Sequence, residues 1–340
     1  MPSIVDLFPP KEVVSYIQNR EFQPLLGETL FPERKTPGLD WDLLVGANSA
    51  PVSASVHAFD TETEIASREA QKMALEGLLI KRKIPMSEKQ IAALMNPRTN
   101  EEKAYLENEV FNDAFKMAEA VRTRVEAMRM EVLATGKLVI DENNVKTTLD
   151  YGVSSKNQEV LSTKKWSDDT ANPIEDIQKW ADALDIAPTR ALTSSKIVRM
   201  LLKHPNVIKA VFGSNNTGRM MTLQELNDYF QQSGLPVFAI NNKKYRVQQA
   251  NGLYTTKPFF PDNKLVLFGD GTLGETLYGP TAEEVRLVNN PAVEVQSVGN
   301  ICVTVYDRNT DPVVTETKAA AYAGIAFPEA ANVFQAQPID

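Results

Sequence analysis

The stretch from Thr99 to Gly136 most limits what this chain can fold into. Thr99 and Glu102 have the spacing of a capping box. No glycine or proline follows until Gly136, which stands as a C-terminal stop. Between them Leu106, Val110, Ala114, Met117, Val121, Val125, Met128 and Val132 recur at steps of three and four, one apolar face at helical period. Phe111, Phe115 and Ala118 widen the stripe. The other face carries Lys116, Glu119, Arg122, Arg124, Glu126 and Arg129, and the spacings Arg122–Glu126 and Glu126–Arg129 suit pairing along the surface. The pattern predicts a helix of roughly 35 residues, ~50 Å long, against the usual three turns or so. One compact lobe cannot bury such a helix. It spans a flat or elongated molecule as a strut, or pairs as a coiled coil; its four-residue steps come in pairs and break a strict heptad, which favours the strut.

The 340 residues allow about two domains and a real core. Composition is that of a water-soluble globular protein, 43% hydrophobic and 24% charged. The net charge of −8 argues against a dedicated nucleic-acid binder, which needs a basic excess. Cys302 is the one cysteine, so an internal disulfide and a cysteine-rich metal site are both excluded. No apolar run approaches the ~18 residues of a membrane span, and Met1 to Arg20 lacks the pattern of a signal peptide.

Residues 1–44 hold six prolines and read as an extended arm, with a short helix from Pro10 to Asn19. In 45–85, Val52, Ala54, Val56 and Ala58 alternate with polar residues as in a strand. Arg68 to Gly77 fits helix or loop, and Leu78 to Lys83 fits a returning strand. This long, weakly apolar hairpin is either an ordinary surface hairpin or an arm that folds over a partner. Ser87 to Met95 reads as a short helix. Lys137 to Tyr151 reads as two strands about a turn at Glu142-Asn143-Asn144. Helices are expected from Pro173, at Ser194–Leu202 and at Thr222–Gln232. From Val237 strands dominate: VFAI, KYRVQQ, KLVLF, EVQSVGNICVTVYD and PVVTETKAAAYAGIAF. Helices with mainly antiparallel strands give an α+β class.

Catalytic, cofactor and metal signatures are weak throughout. Residues 269–274, GDGTLG, match G-x-G-x-x-G after a strand, but Glu275 opens a strand and turn where a dinucleotide site needs a helix. His57 and His204 lack a ligand at metal spacing. Cys302 sits in the apolar alternation of Ile301, Val303 and Val305, as a buried structural thiol does. Asp168 and Asp169 suit a cation site or, more simply, solvated turn acids. Asn215-Asn216-Thr217 matches a glycosylation sequon, which has no meaning without secretion. No catalytic, cofactor-binding or metal residue is assigned. An arm, a hairpin and a strut helix suit a protein whose work is contact with copies of itself.

Ordered motifs then carry a resemblance: VSASVHAFDTETEIASRE leading to IKRKIPMSE, the long helix ending in VLATGKLVI, WSDDTANPIEDI before a helix, and FFPDNKLVLFGDG late in the chain. Together they resemble the tailed-phage major capsid proteins of the lambda-type capsid protein E family, with the Hong Kong 97-type fold. The resemblance implies an N-terminal arm (1–44), an E-loop (45–85), a peripheral domain (86–172) with its spine helix (99–135), an axial domain (173–290), and peripheral return strands with the C-terminus (291–340). It implies hexamers and pentamers forming an icosahedral shell around double-stranded DNA, in the virion, assembled in the bacterial host cytoplasm. Expected partners are scaffold and portal proteins and a decoration protein, with no membrane, no cofactor and no enzymatic activity. A non-viral, encapsulin-like shell around cargo protein is the alternative on the same fold. An enzyme using Gly269 to Gly274 is a third. The spine face is expected at Leu106, Val110, Val121 and Val125, and a subunit contact at Lys81, Arg82 and Lys83 of the E-loop. The acidic charge fits a lining that confines DNA without binding it.

Overall fold

A computed structural model describes residues 22–45, 71–142, 145–213, 219–249, 251–286, 293–308, 311 and 313–340. The expected Pro10–Asn19 helix, the Val52–Ala58 alternation, His57 and the Asn215 sequon lie outside these residues, as do Asn143 and Asn144 of the expected turn. Strands β1 (Glu33–Lys35), β2 (Asp40–Val45), β3 (Gln71–Glu76) and β4 (Leu78–Met86) come first. After the long helix follow β5 (Lys137–Glu142), β6 (Val145–Asp150), β7 (Gln158–Val160), β8 (Arg190–Thr193), β9 (Val237–Ile240), β10 (Lys244–Gln248) and β11 (Tyr254–Pro258). The rest are β12 (Leu265–Phe268), β13 (Glu275–Gly279), β14 (Val293–Val298), β15 (Ile301–Arg308), β16 (Val314–Ala326) and β17 (Phe334–Gln337). The chain divides into two compact units.

The long helix spans Asn100–Thr135, 36 residues. At its start the Thr99 hydroxyl accepts the Glu102 N–H at 3.1 Å, and the Glu102 carboxylate accepts the Arg98 N–H at 2.8 Å, one residue earlier than a standard capping box. Gly136 ends it at φ +67°, with its N–H on the Val132 carbonyl at 2.8 Å. A Cβ at Gly136 would stand 2.6 Å from Val153 Cγ2, so glycine is required on two counts. Residues up to Glu126 belong to the first unit and those from Ala127 to the second.

The first unit is built on a mixed sheet centred on β16. One edge of β16 pairs antiparallel with β4. The other edge pairs with β15 and, further along, with β13. The order β1-β13-β16-β15-β14 completes the sheet, with β1 parallel to β13. The stretch 293–308 reads as one strand in sequence but folds back on itself: Gly299 turns at φ +60° and β14 pairs antiparallel with β15. Residues 71–76, ambiguous between helix and loop in sequence, are strand β3, paired with β2.

Leu106, Val110, Val121 and Val125 are all buried, as the spine periodicity demands. The expected surface position of Glu126 is overturned. Glu126 is buried and accepts the Gly27 N–H at 2.8 Å, capping the short helix Leu26–Leu30. Arg122 turns to Glu28, its Nε 3.0 Å from Oε1, and lies over the Phe22 ring. Arg129 is buried too. From Val125 to Met130 every residue of the helix is buried, so the charges of this stretch do not face solvent.

In the second unit a five-stranded sheet runs β7-β17-β12-β8-β9. Helices Pro173–Asp182, Ser195–Leu201, Pro205–Phe212 and Leu223–Gln232 bury apolar faces in the core that includes it. Proline opens two of them at the first turn, where its missing N–H costs nothing. Trp180 stacks between Trp166 and Phe334, with ring centroids 5.6 and 5.7 Å away. Two hairpins, β5-β6 and β10-β11, complete the unit.

Candidate assembly site

The three cations Lys81, Arg82 and Lys83 lie on β4, whose exposure alternates residue by residue. Pleating puts Lys81 and Lys83 on one face and Arg82 on the other. Pro85 follows on the same strand; proline donates nothing to a ladder, which suits an edge. Among the described residues β4 pairs only with β16.

Register gathers charge on the Lys81 side. Lys83 stands opposite Lys318, and Glu316 of β16 stands opposite Tyr306 of β15. Lys83 Nζ lies 2.8 Å from Glu316 Oε1, and the Tyr306 hydroxyl donates to Glu316 Oε2 at 2.6 Å. Glu283, from the short helix Ala282–Arg286, receives Lys81 at 3.0 Å and also Lys318. Sequence reasoning left these lysines either as a solvated run or as a contact with a neighbouring copy. The structure supplies Lys81 and Lys83 with carboxylates of their own chain. Glu283 and Glu316 had no local signal, because they meet β4 only through the sheet.

The electrostatics follow from burial and pairing. Burial alone would raise the Glu283 carboxyl, but hydrogen bonds from Lys318 and Lys81 outweigh it and hold it at about 2. Glu316 is held below the usual carboxylate range by hydrogen bonds from Lys83 and Tyr306. Burial, then the bond to Glu316, pushes the Tyr306 phenol up to about 12. Burial pushes the Cys302 thiol up to about 11, away from the reactive thiolate. The cluster rivets β4 to the sheet just after the segment 46–70.

The other candidates resolve into structure. In the loop 269–274 the carbonyls of Gly269 and Gly271 accept from the Arg190 guanidinium at 2.6 and 2.7 Å, and β13 follows. A pyrophosphate cradle presents N–H groups and a helix there instead. Asp168 accepts the N–H and hydroxyl of Thr170 at 2.9 and 2.8 Å, a turn that lowers its pKa. His204 opens the helix Pro205–Phe212, its Nε2 3.1 Å from the Asp168 carbonyl. Among the described residues no group of His, Cys, Asp and Glu is placed to hold a metal ion, and no helix is long and apolar enough to cross a membrane.

The family model described as phage major capsid protein E matches residues 11–336. No curated protein matches the chain. Among solved structures the chain is similar to a prophage protein of E. coli CFT073 ascribed to the capsid, at 15% identity and TM-score 0.62, covering 97% of this chain and 99% of that one. It is also similar to a phage-related protein of Bordetella bronchiseptica RB50, at 12% identity and TM-score 0.53, with 96% of each chain covered. These likenesses carry the fold, which is the Hong Kong 97-type capsid fold. With a family match over nearly its whole length, the chain belongs to the phage major capsid protein E family, structural proteins that build the shell of the virion.

Proposed function

We propose that this chain is the repeating unit of an icosahedral phage head, set as hexamers and pentamers around double-stranded DNA, with no catalytic role. The family match over residues 11–336 carries this reading. A heterologous contact repeated around an axis closes into rings, which is the symmetry such capsomers need. The parts take these roles: 1–44 as the N-terminal arm, 45–85 as the E-loop, and 86–172 as the peripheral domain with spine helix 99–135. Residues 173–290 form the axial domain, and 291–340 return to the peripheral domain. The net charge of −8 supports a lining that confines DNA without the counterion-release affinity of a basic surface. Scaffold, portal and a decoration protein are the partners of such a head, assembled in the bacterial cytoplasm. The test is expression followed by negative-stain microscopy and analysis of the particle contents. Closed shells that package DNA through a portal support the reading. A stable monomer at every protein and salt concentration sinks it, and shells filled with cargo protein would move the chain to the encapsulin-like class.

A further inference from the structure

In the second unit a groove of about 530 Å³ lies between the turn at Trp166–Asp169 and the helix Ser195–Leu201. That volume falls within the ~300–1,000 Å³ of small-ligand sites. Lys196, Arg199 and Lys203 line it, against one carboxylate, Asp169. All three cations are exposed and keep donors to spare. Lys196 Nζ donates to the Asp340 carbonyl at 3.0 Å. Arg199 turns its Nε and one Nη to Ser195, which leaves the rest of its fork open. Among the described residues the Lys203 ammonium has no ion-pair partner. Helix energetics do not account for this row. Like charges three positions apart repel, and Lys196 stands in the first turn, where the helix dipole disfavours a cation.

The wall of the groove also holds a polar atom that the fold leaves incomplete. His204 forms part of that wall and is only 3% exposed. Its Nε2 lies 3.1 Å from the Asp168 carbonyl. A carbonyl only accepts, so Nε2 carries a proton. Nδ1 is then a lone pair in the neutral ring, or a second donor in the imidazolium. It is buried and has no hydrogen-bond partner among the described residues. Buried polar atoms are seldom left in that state. His204 is also the N-cap residue of helix Pro205–Phe212, which no side chain caps, so the positive end of that helix stands at the same wall.

One ligand chemistry answers all of these features. A phosphate group offers anionic oxygens to the cations. It also serves Nδ1 in either state, because a P–OH donates to the lone pair and a P–O⁻ accepts from the N–H. An ionised carboxylate only accepts, and leaves the neutral ring unanswered. A phosphodiester has no P–OH and serves the imidazolium alone.

We infer that this groove is a phosphate-binding site, with Lys196, Arg199 and Lys203 on the phosphate oxygens and His204 Nδ1 completing the set. The inference is independent of shell formation, because the groove lies within one unit of one chain.

The test titrates the full chain with inorganic phosphate in a chloride buffer, read by calorimetry. Saturable binding is expected, at least ~tenfold weaker in Lys203→Gln, which removes a charge-assisted hydrogen bond at an exposed position. Circular dichroism checks the fold; if Lys203→Gln lowers helicity, Arg199→Gln takes its place. The chain has two histidines, so a His57→Gln variant identifies the nitrogen-15 signals of His204. Solid-state NMR reads them in subunits and shells alike. Phosphate should shift the His204 Nδ1 signal with the midpoint found by calorimetry. A short DNA duplex without terminal phosphates then separates the sources. Displacement of phosphate supports the site with backbone diesters as its ligand, and no displacement supports it with free phosphate or a monoester. Absence of saturable phosphate binding, undiminished affinity in a folded Lys203→Gln variant, or an unmoved Nδ1 signal overturns the inference.

Discussion

Lys83 and Lys318 stand directly opposite each other across the ladder of β4 and β16. Like charges in that position destabilise a sheet. Here Lys83 is paired with Glu316, and Lys318 shares Glu283 with Lys81. The pair therefore belongs to a cluster of three cations and two carboxylates, and removing either carboxylate leaves a cation of the rung uncompensated.

Replacing Glu283 by Gln should cost about 2 to 4 kcal/mol, because Lys81 and Lys318 lose their common partner at a buried position. Urea denaturation measures it. The pH dependence has a definite sign. The folded pKa of about 2 lies below the ordinary 4.5, so the stabilisation is complete above about pH 4.5 and is lost as pH falls toward 2. Its full size is on the order of 3 kcal/mol. Unfolding midpoints of Glu283→Gln should vary less with pH across that window than those of the wild type.

Lys83→Glu should destabilise the isolated subunit by about 1 kcal/mol, as it sets a second carboxylate beside the buried Glu316. Equal thermal midpoints for variant and wild type would show that the Glu316 pair contributes nothing.

Val121→Pro removes a hydrogen bond in the middle of the long helix at a fully packed site, costing ~3 kcal/mol or more. Little soluble protein and no particles are expected. Normal shells by electron microscopy would refute a continuous spine.

Gly136→Ala forces an alanine to φ +67° and drives its Cβ toward Val153. The backbone part alone costs about 1 to 2 kcal/mol. Thermal unfolding should show the loss, and a neutral result would mean that the helix ends elsewhere.

Legibility in the sequence divided along the range of the interactions. The long helix, its apolar face and its glycine stop were readable because capping and periodicity act within a few residues. Glu126 and Arg129 were misread as surface charges for the same reason: their position on the helix is visible locally, but the packing around the last third is not. Lys81 and Lys83 were read on a returning strand, yet their carboxylates come from positions more than 200 residues away. The turn at Gly299 was missed because the residues on both sides of it have strand composition. Lys196 and Asp340 are 144 positions apart, and only the fold brings them together.

The central place of β16 has a consequence for biosynthesis. Lys83 and Glu316 are 233 positions apart. At ~5–20 residues per second, a ribosome needs on the order of 10 to 50 s to supply the partner strand after β4 has been made. During that time β4 is an unpaired edge with five apolar side chains among its nine residues besides Pro85, open to pairing with another nascent chain. Its three consecutive cations work against that outcome, since identical strands brought together repel one another. The same lysines that are neutralised in the finished sheet thus guard the unfinished one from aggregation.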